Sequence, residues 1–129
     1  MSRKTIQTML DWVEEHLEND ASLDDMARHV GYSPFYCSGC FHRFTGFSFK
    51  EYVLNRRMDA AARQLLSSDE SVLDIAVRFG FSSQAAFTRT FRKTYGLPPG
   101  RFRACKPTFP SFDIFQMDSC AERSLPYDE

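Results

Sequence analysis

No run of 18 apolar residues occurs anywhere in this 129-residue chain, so it holds no candidate for a helical membrane span. Arg3 and Lys4 resemble the basic start of an export signal, but Asp11, Glu14 and Glu15 interrupt any apolar segment behind them. A Gly-rich phosphate loop, a nucleophile elbow and a His-Glu-x-x-His pair are all missing, and the carboxylates lie scattered along amphipathic stretches; no enzyme and no cofactor are expected. A cytoplasmic protein is expected, and its four cysteines are then reduced. Positive charge is not in excess either. The formal net charge is −1, which taken alone argues against a nucleic-acid partner.

That average hides a separation. Residues 1–25 carry two basic and seven acidic side chains, net −5, whereas residues 32–106 carry twelve basic and five acidic, net +7. Apolar content is 43%, enough for a core, and thirteen Phe make that core aromatic. The organising stretch is 71–103, SVLDIAVRFGFSSQAAFTRTFRKTYGLPPGRFR. Ser71, with Asp74 three residues on, opens a short helix in a pattern like a capping box. Leu73, Ile75 and Ala76 form its apolar side, and Gly80 supplies the positive φ that ends it. Ser83 is placed to cap a second helix, 84–95. Phe87, Thr90, Phe91 and Thr94 form its inward stripe; Ala85, Thr88, Arg89 and Arg92 form an outer one at the same helical spacing. A helix, a glycine turn and a helix with a small, polar, cationic outer stripe match the helix-turn-helix plan for reading a major groove.

The unit occurs twice. At an offset of 49, Ser22, Asp25, Ala27, Gly31 and Ser33 coincide with Ser71, Asp74, Ala76, Gly80 and Ser82; after one inserted residue the offset is 50, and Phe41 and Gly46 coincide with Phe91 and Gly96. Two such units about 50 residues apart, with A-x-x-x-G-[YF]-S in both and F-T-R-x-F-[RK]-x-x-x-G-x-x-P in the second, resemble the AraC/XylS family of bacterial transcription regulators. The resemblance covers roughly residues 5–104, is specific in the second unit and looser in the first, and is similar in layout to the short activators of the family. It implies double-stranded DNA as partner, contact roles for Gln84, Thr88, Arg89 and Arg92, and activation through RNA polymerase.

The residues themselves say more about those contacts. Arg89 is suited to bidentate contact with guanine, Gln84 to adenine or a phosphate, Thr88 and Ala85 to a thymine methyl. Arg92 and Lys93, further along the helix, suit phosphates. The outer stripe of the first reading helix, 34–45, is Phe35, Ser38, Gly39 and His42, and it departs from the family pattern. Trp usually stands where Phe35 is, and Gln-Arg where Ser38-Gly39 are. Gly39, the repeat partner of Arg89, offers no side-chain donor, so this unit is expected to bind largely through phosphate and shape.

Elsewhere, Ile6, Met9, Leu10, Val13 and Leu17 predict a first helix over about 4–19, with Trp12 at the core boundary and Glu14, Glu15 and Glu18 in water. A second helix is predicted over 23–30. Ser48 to Glu51 reads as a capping box opening a linker helix, 48–66, which would hold the two reading helices at a fixed separation. Its Arg56, Arg57 and Arg63 suit either phosphates or a solvated face. The predicted fold is all-α, about seven helices. Two helix-turn-helix lobes, 5–47 and 71–104, flank the linker within one DNA-binding domain over 1–106. Residues 107–129 form either a short extended segment, an unstructured tail or the start of a linker.

Cys37-Ser38-Gly39-Cys40, near His42, invites a redox or zinc reading. Both cysteines lie on the inward stripe, where free Cys behaves as a small hydrophobe. His42 points too far around the helix to share a metal with them. Buried packing is the reading adopted, with no metal site. The expected function is sequence-specific transcription regulation, as an activator. Helices 34–45 and 84–95 would enter successive major grooves about 34 Å apart on an asymmetric site bound by a monomer. The alternatives are the DNA-binding part of a larger ligand-responsive regulator, and a thiol-responsive switch using Cys37 and Cys40.

Overall fold

The computed structural model describes residues 3–19 and 21–106. Among these are seven helices and no strand: α1 (Arg3–Glu15), α2 (Leu23–Val30), α3 (Pro34–Thr45), α4 (Phe49–Ser67), α5 (Val72–Arg78), α6 (Gln84–Tyr95) and α7 (Pro99–Cys105). They divide into two compact units, and the division falls inside α4, between Arg56 and Arg57. The predicted segment 107–129 lies outside the described residues.

Serine caps fix the helix starts. The Ser22 and Ser33 hydroxyls accept the backbone N–H of Asp25 and Tyr36, both at 3.1 Å. In the second unit Ser71 and Ser83 do the same for Asp74 and Ala86, both at 3.0 Å. Each bond satisfies a donor that a helix start leaves open. Gly31 and Gly80, the repeat partners in the two turns, both sit at φ +85°, a conformation costly for any residue with a Cβ. The turn of the second unit is one residue longer, because Ser83 and not Ser82 is the cap. At the head of α4, the Ser48 N–H donates to Glu51 Oε1 at 3.0 Å and the Glu51 N–H to Ser48 Oγ at 3.1 Å, the predicted reciprocal box. Hydrogen bonding to the carboxylate from the Ser48 backbone N–H, and then from the Ser48 side chain, holds the Glu51 carboxyl below the usual range.

In the first unit α1 packs on α2 and α2 on α3. Met9, Val13, Met26, Cys37, Phe41 and Tyr52 are fully buried, with the Phe41 ring edge-on to Phe49 and Tyr52 at 5.5 and 5.2 Å between centroids. In the second unit Met58, Ala61, Ala62, Leu65, Ile75, Ala76, Phe79, Phe87, Phe91 and Phe102 make one core, with Phe91 edge-on to Phe102 at 5.0 Å. Helix α6 is thus anchored by Phe87 and Phe91 against α5 and α7, and its opposite face is left to solvent.

Several expectations need correction. α1 stops at Glu15 and not near Asn19; His16 leaves the helix to stack on Trp12, its Nδ1 2.7 Å from the Trp12 carbonyl oxygen. Glu14 does not simply face water, and Arg56 is not available to phosphates. Arg56, 8% exposed, donates Nε and a terminal nitrogen to the two Glu14 oxygens at 2.6 and 2.9 Å. Leu73 is not on the apolar side of α5 but half exposed; Ile75 and Ala76 turn inward, with Val72 partly buried against the same core. Thr94 is exposed and returns its hydroxyl to the Thr90 carbonyl; Tyr95 takes the inward place, its ring 4.8 Å from Phe91.

Cys37 and Cys40 are buried, as the inward stripe predicts. Burial pushes the Cys37 thiol above its ordinary range. Cys37→Ala and Cys40→Ala are each expected to lower stability by about 1 kcal/mol, the scale of removing one buried group of methyl size. Under reducing conditions DNA preference should not change. Thermal melts paired with a DNA titration check both halves of the expectation.

Candidate nucleic-acid interface

The outer stripe of α6 is where the structure gathers most of the predicted contact residues. Ala85, Thr88, Arg89, Arg92 and Lys93 line one open concavity of about 480 Å³. Ala85, Arg89, Arg92 and Lys93 are exposed, and Thr88 is half-buried between them. Gln84, the first residue of the helix, is exposed beside the Ser83 cap but is not part of the concavity wall.

Which cations are available is decided by ion pairing. Arg63 is held by Asp59 at 3.0 Å and Arg78 by Glu70, a bond that keeps the Glu70 carboxyl below its usual range. Arg103 donates to the carbonyl oxygens of Leu65 and Ser68 at 2.8 and 3.1 Å, closing α7 onto the end of α4. Among the described residues, Arg89, Arg92 and Lys93 have no such partner. A row of unpaired cations with an apolar methyl and a hydroxyl between them can donate to guanine edges and neutralise phosphates.

The first unit presents a different surface. On α3, Gly39 and His42 are exposed, Ser38 is half-buried, and Phe35 is 91% exposed. The sequence reading missed two aromatic neighbours. Tyr32 and Tyr36 are also exposed, their rings tilted at 5.1 Å between centroids. It also missed Arg43, which the offset of 50 makes the repeat partner of Lys93; Arg43 is exposed one turn beyond Gly39. Two further cations, Arg101 in α7 and Lys106 at its C-cap, are exposed. No three His, Cys, Asp or Glu side chains converge among the described residues, and no helix there is long and apolar enough to cross a membrane.

The helix-turn-helix domain family matches residues 26–104. Over 99 residues the chain is 38% identical to the multiple antibiotic resistance protein MarA of Escherichia coli strain K12, covering 77% of this chain and 78% of that protein. Over 98 residues it is 36% identical to the transcriptional activator AarP of Providencia stuartii, covering 76% and 73%. Among solved structures, the DNA-binding domain of the global transcriptional factor AdpA, in complex with a target DNA, superposes with a TM-score of 0.72. The identity is 29%, over 78% of this chain and 91% of that one.

Proposed function

The chain belongs to the AraC/XylS family of DNA-binding transcription regulators, and on that premise we propose that it is a cytoplasmic activator that reads an asymmetric site as a monomer. Residues 1–106 act as one DNA-binding region. Helices α3 and α6 lie in successive major grooves about 34 Å apart on one face of the duplex. The observation that carries the reading is the α6 concavity, where Arg89, Arg92 and Lys93 stand exposed and unpaired beside Thr88 and Ala85.

Within that frame the contacts divide by depth along the helix. Gln84, Ala85, Thr88 and Arg89 lie over base edges, whereas Arg92 and Lys93 meet phosphates. Phe35, Ser38, Gly39 and His42 supply the shallower reading of the other half-site, with Phe35 against sugar or a thymine methyl. RNA polymerase is the second partner and activation the sign of regulation, by kinship with activators such as AarP.

Selection of bound fragments from genomic DNA, followed by transcription from a reporter bearing the enriched site, tests this. The expected result is a motif without two-fold symmetry, bound by one copy and raising transcription. A palindromic motif occupied by two copies, or no enrichment at all, overturns it.

A further inference from the structure

Cys37 and Cys40 are both free and stand one turn apart on α3. Three observations set them apart from inert core thiols. Cys40, 7% exposed, forms part of the wall of a cavity of about 160 Å³ together with Ile6, Arg43 and Phe44, whereas Cys37 behind it is 0% exposed. Tyr36, half-exposed and one turn before Cys40 on the same helix, has its pKa raised by the neighbouring Cys40 thiol. Between the two cysteines lies Gly39, with nothing within 4 Å of the place a Cβ would occupy, so the connecting turn is both unpacked and weak as helix.

We propose that Cys37 and Cys40 are a dithiol modification site for hydroperoxides, with Cys40 the thiol oxidised first and Cys37 the thiol that resolves it into a disulfide within α3. A hydroperoxide in the cavity is attacked by the Cys40 sulfur. A sulfur–oxygen bond forms as the oxygen–oxygen bond breaks, and the departing oxygen takes up a proton and leaves as water or an alcohol. The Cys37 sulfur then attacks the sulfenic sulfur. The disulfide bond forms, the sulfur–oxygen bond breaks, and hydroxide leaves with the Cys37 proton as water. The dithiol loses two electrons and the hydroperoxide gains them.

The consequence for α3 is geometric. Residues three apart on a helix hold their Cβ atoms about 5–6 Å apart, and a disulfide requires about 3.5–4.5 Å. Closing the bond must therefore tighten the turn made of Ser38 and Gly39. That turn is part of the outer stripe, with Phe35 before it and His42 after it. Oxidation thus distorts the surface that meets the first half-site, a step that rests on the DNA reading proposed above. Burial pushes the Cys37 thiol pKa up, which leaves Cys40, at the cavity wall, as the thiol oxidised first.

The test uses the full reduced chain, hydrogen peroxide, and two separate readouts. Tryptic cleavage releases His29–Arg43, which contains Cys37 and Cys40 and no other cysteine. This peptide is expected to lose two hydrogens, and affinity for the selected site to fall about fivefold or more, as for one lost base contact. Dithiothreitol restores both. Cys37→Ser should stop the reaction at a Cys40 sulfenic acid trapped by dimedone, and Gly39→Ala should slow disulfide formation by stiffening the turn. Peroxide that oxidises Cys105 or Cys120 while the His29–Arg43 peptide keeps both thiols overturns the site. A disulfide that forms with no change in affinity overturns its link to reading. Reduced protein that binds no selected DNA counts against the DNA reading alone, and the peptide mass still decides the dithiol.

Discussion

Arg89→Ala is expected to erase preference at one or two adjacent base pairs, by about tenfold to a hundredfold, while Arg92→Ala weakens binding to all sequences alike. Both side chains are exposed, unpaired and in the same concavity, so neither burial nor ion pairing separates them. Position along α6 does. The Ser83 cap fixes where the helix begins, Arg89 follows at its middle, and Arg92 and Lys93 stand in its last turn. In helix-turn-helix readers the N-terminal part of the reading helix meets base edges, and residues further along reach the backbone. A bidentate arginine on guanine discriminates by about 1–3 kcal/mol. A phosphate contact carries no sequence information and adds about one to the slope of affinity against salt. Titrations on single-base operator variants at several salt concentrations separate the two roles. If Arg89→Ala lowers affinity for every variant by the same factor, its base-reading role is wrong.

What could be read in advance, and what could not, follows from the range of the interactions. The bounds of α2, α3 and α6 agree with the predicted 23–30, 34–45 and 84–95 because each is punctuated locally, by a serine cap before and a glycine or loop after. The apolar spacing overruns α1 because it continues to Leu17, which is buried although the helix has ended at Glu15. Nothing in the spacing reports that His16 stacks on Trp12. Exposure of the α6 stripe was legible for the same reason its core stripe was. The partners of the arginines were not. Glu14 and Arg56 are 42 residues apart in sequence and Arg103 reaches back 35 and 38 residues to Ser68 and Leu65. Periodicity shows which way a side chain faces and is silent on what distant group it meets, so the sorting of tied from available cations had to come from the structure.

The final expectation concerns the unequal halves of the reading surface. In the repeat, Arg89 corresponds to Gly39, Arg92 to His42, Thr88 to Ser38 and Ala85 to Phe35. Arg43 is the exposed counterpart of Lys93, so α3 keeps one cation suited to a phosphate but none on its outer stripe when His42 is neutral. Most sequence information should therefore lie in the half-site read by α6, with the other half tolerant of substitution and more sensitive to salt and DNA flexibility. Gly39→Arg should sharpen the weak half by about tenfold at one base pair, within the usual range for an arginine–guanine contact. Two features favour the substitution. Nothing lies within 4 Å of the Cβ that would be added. Arginine is also the better helix former, by roughly 1 kcal/mol over glycine, so α3 is strengthened by the change. Site selection performed in parallel on wild type and Gly39→Arg decides it: a new guanine preference should appear in the weak half. Equal information in both halves of the wild-type motif would show that Phe35, Ser38 and His42 already read bases as well as Arg89 does.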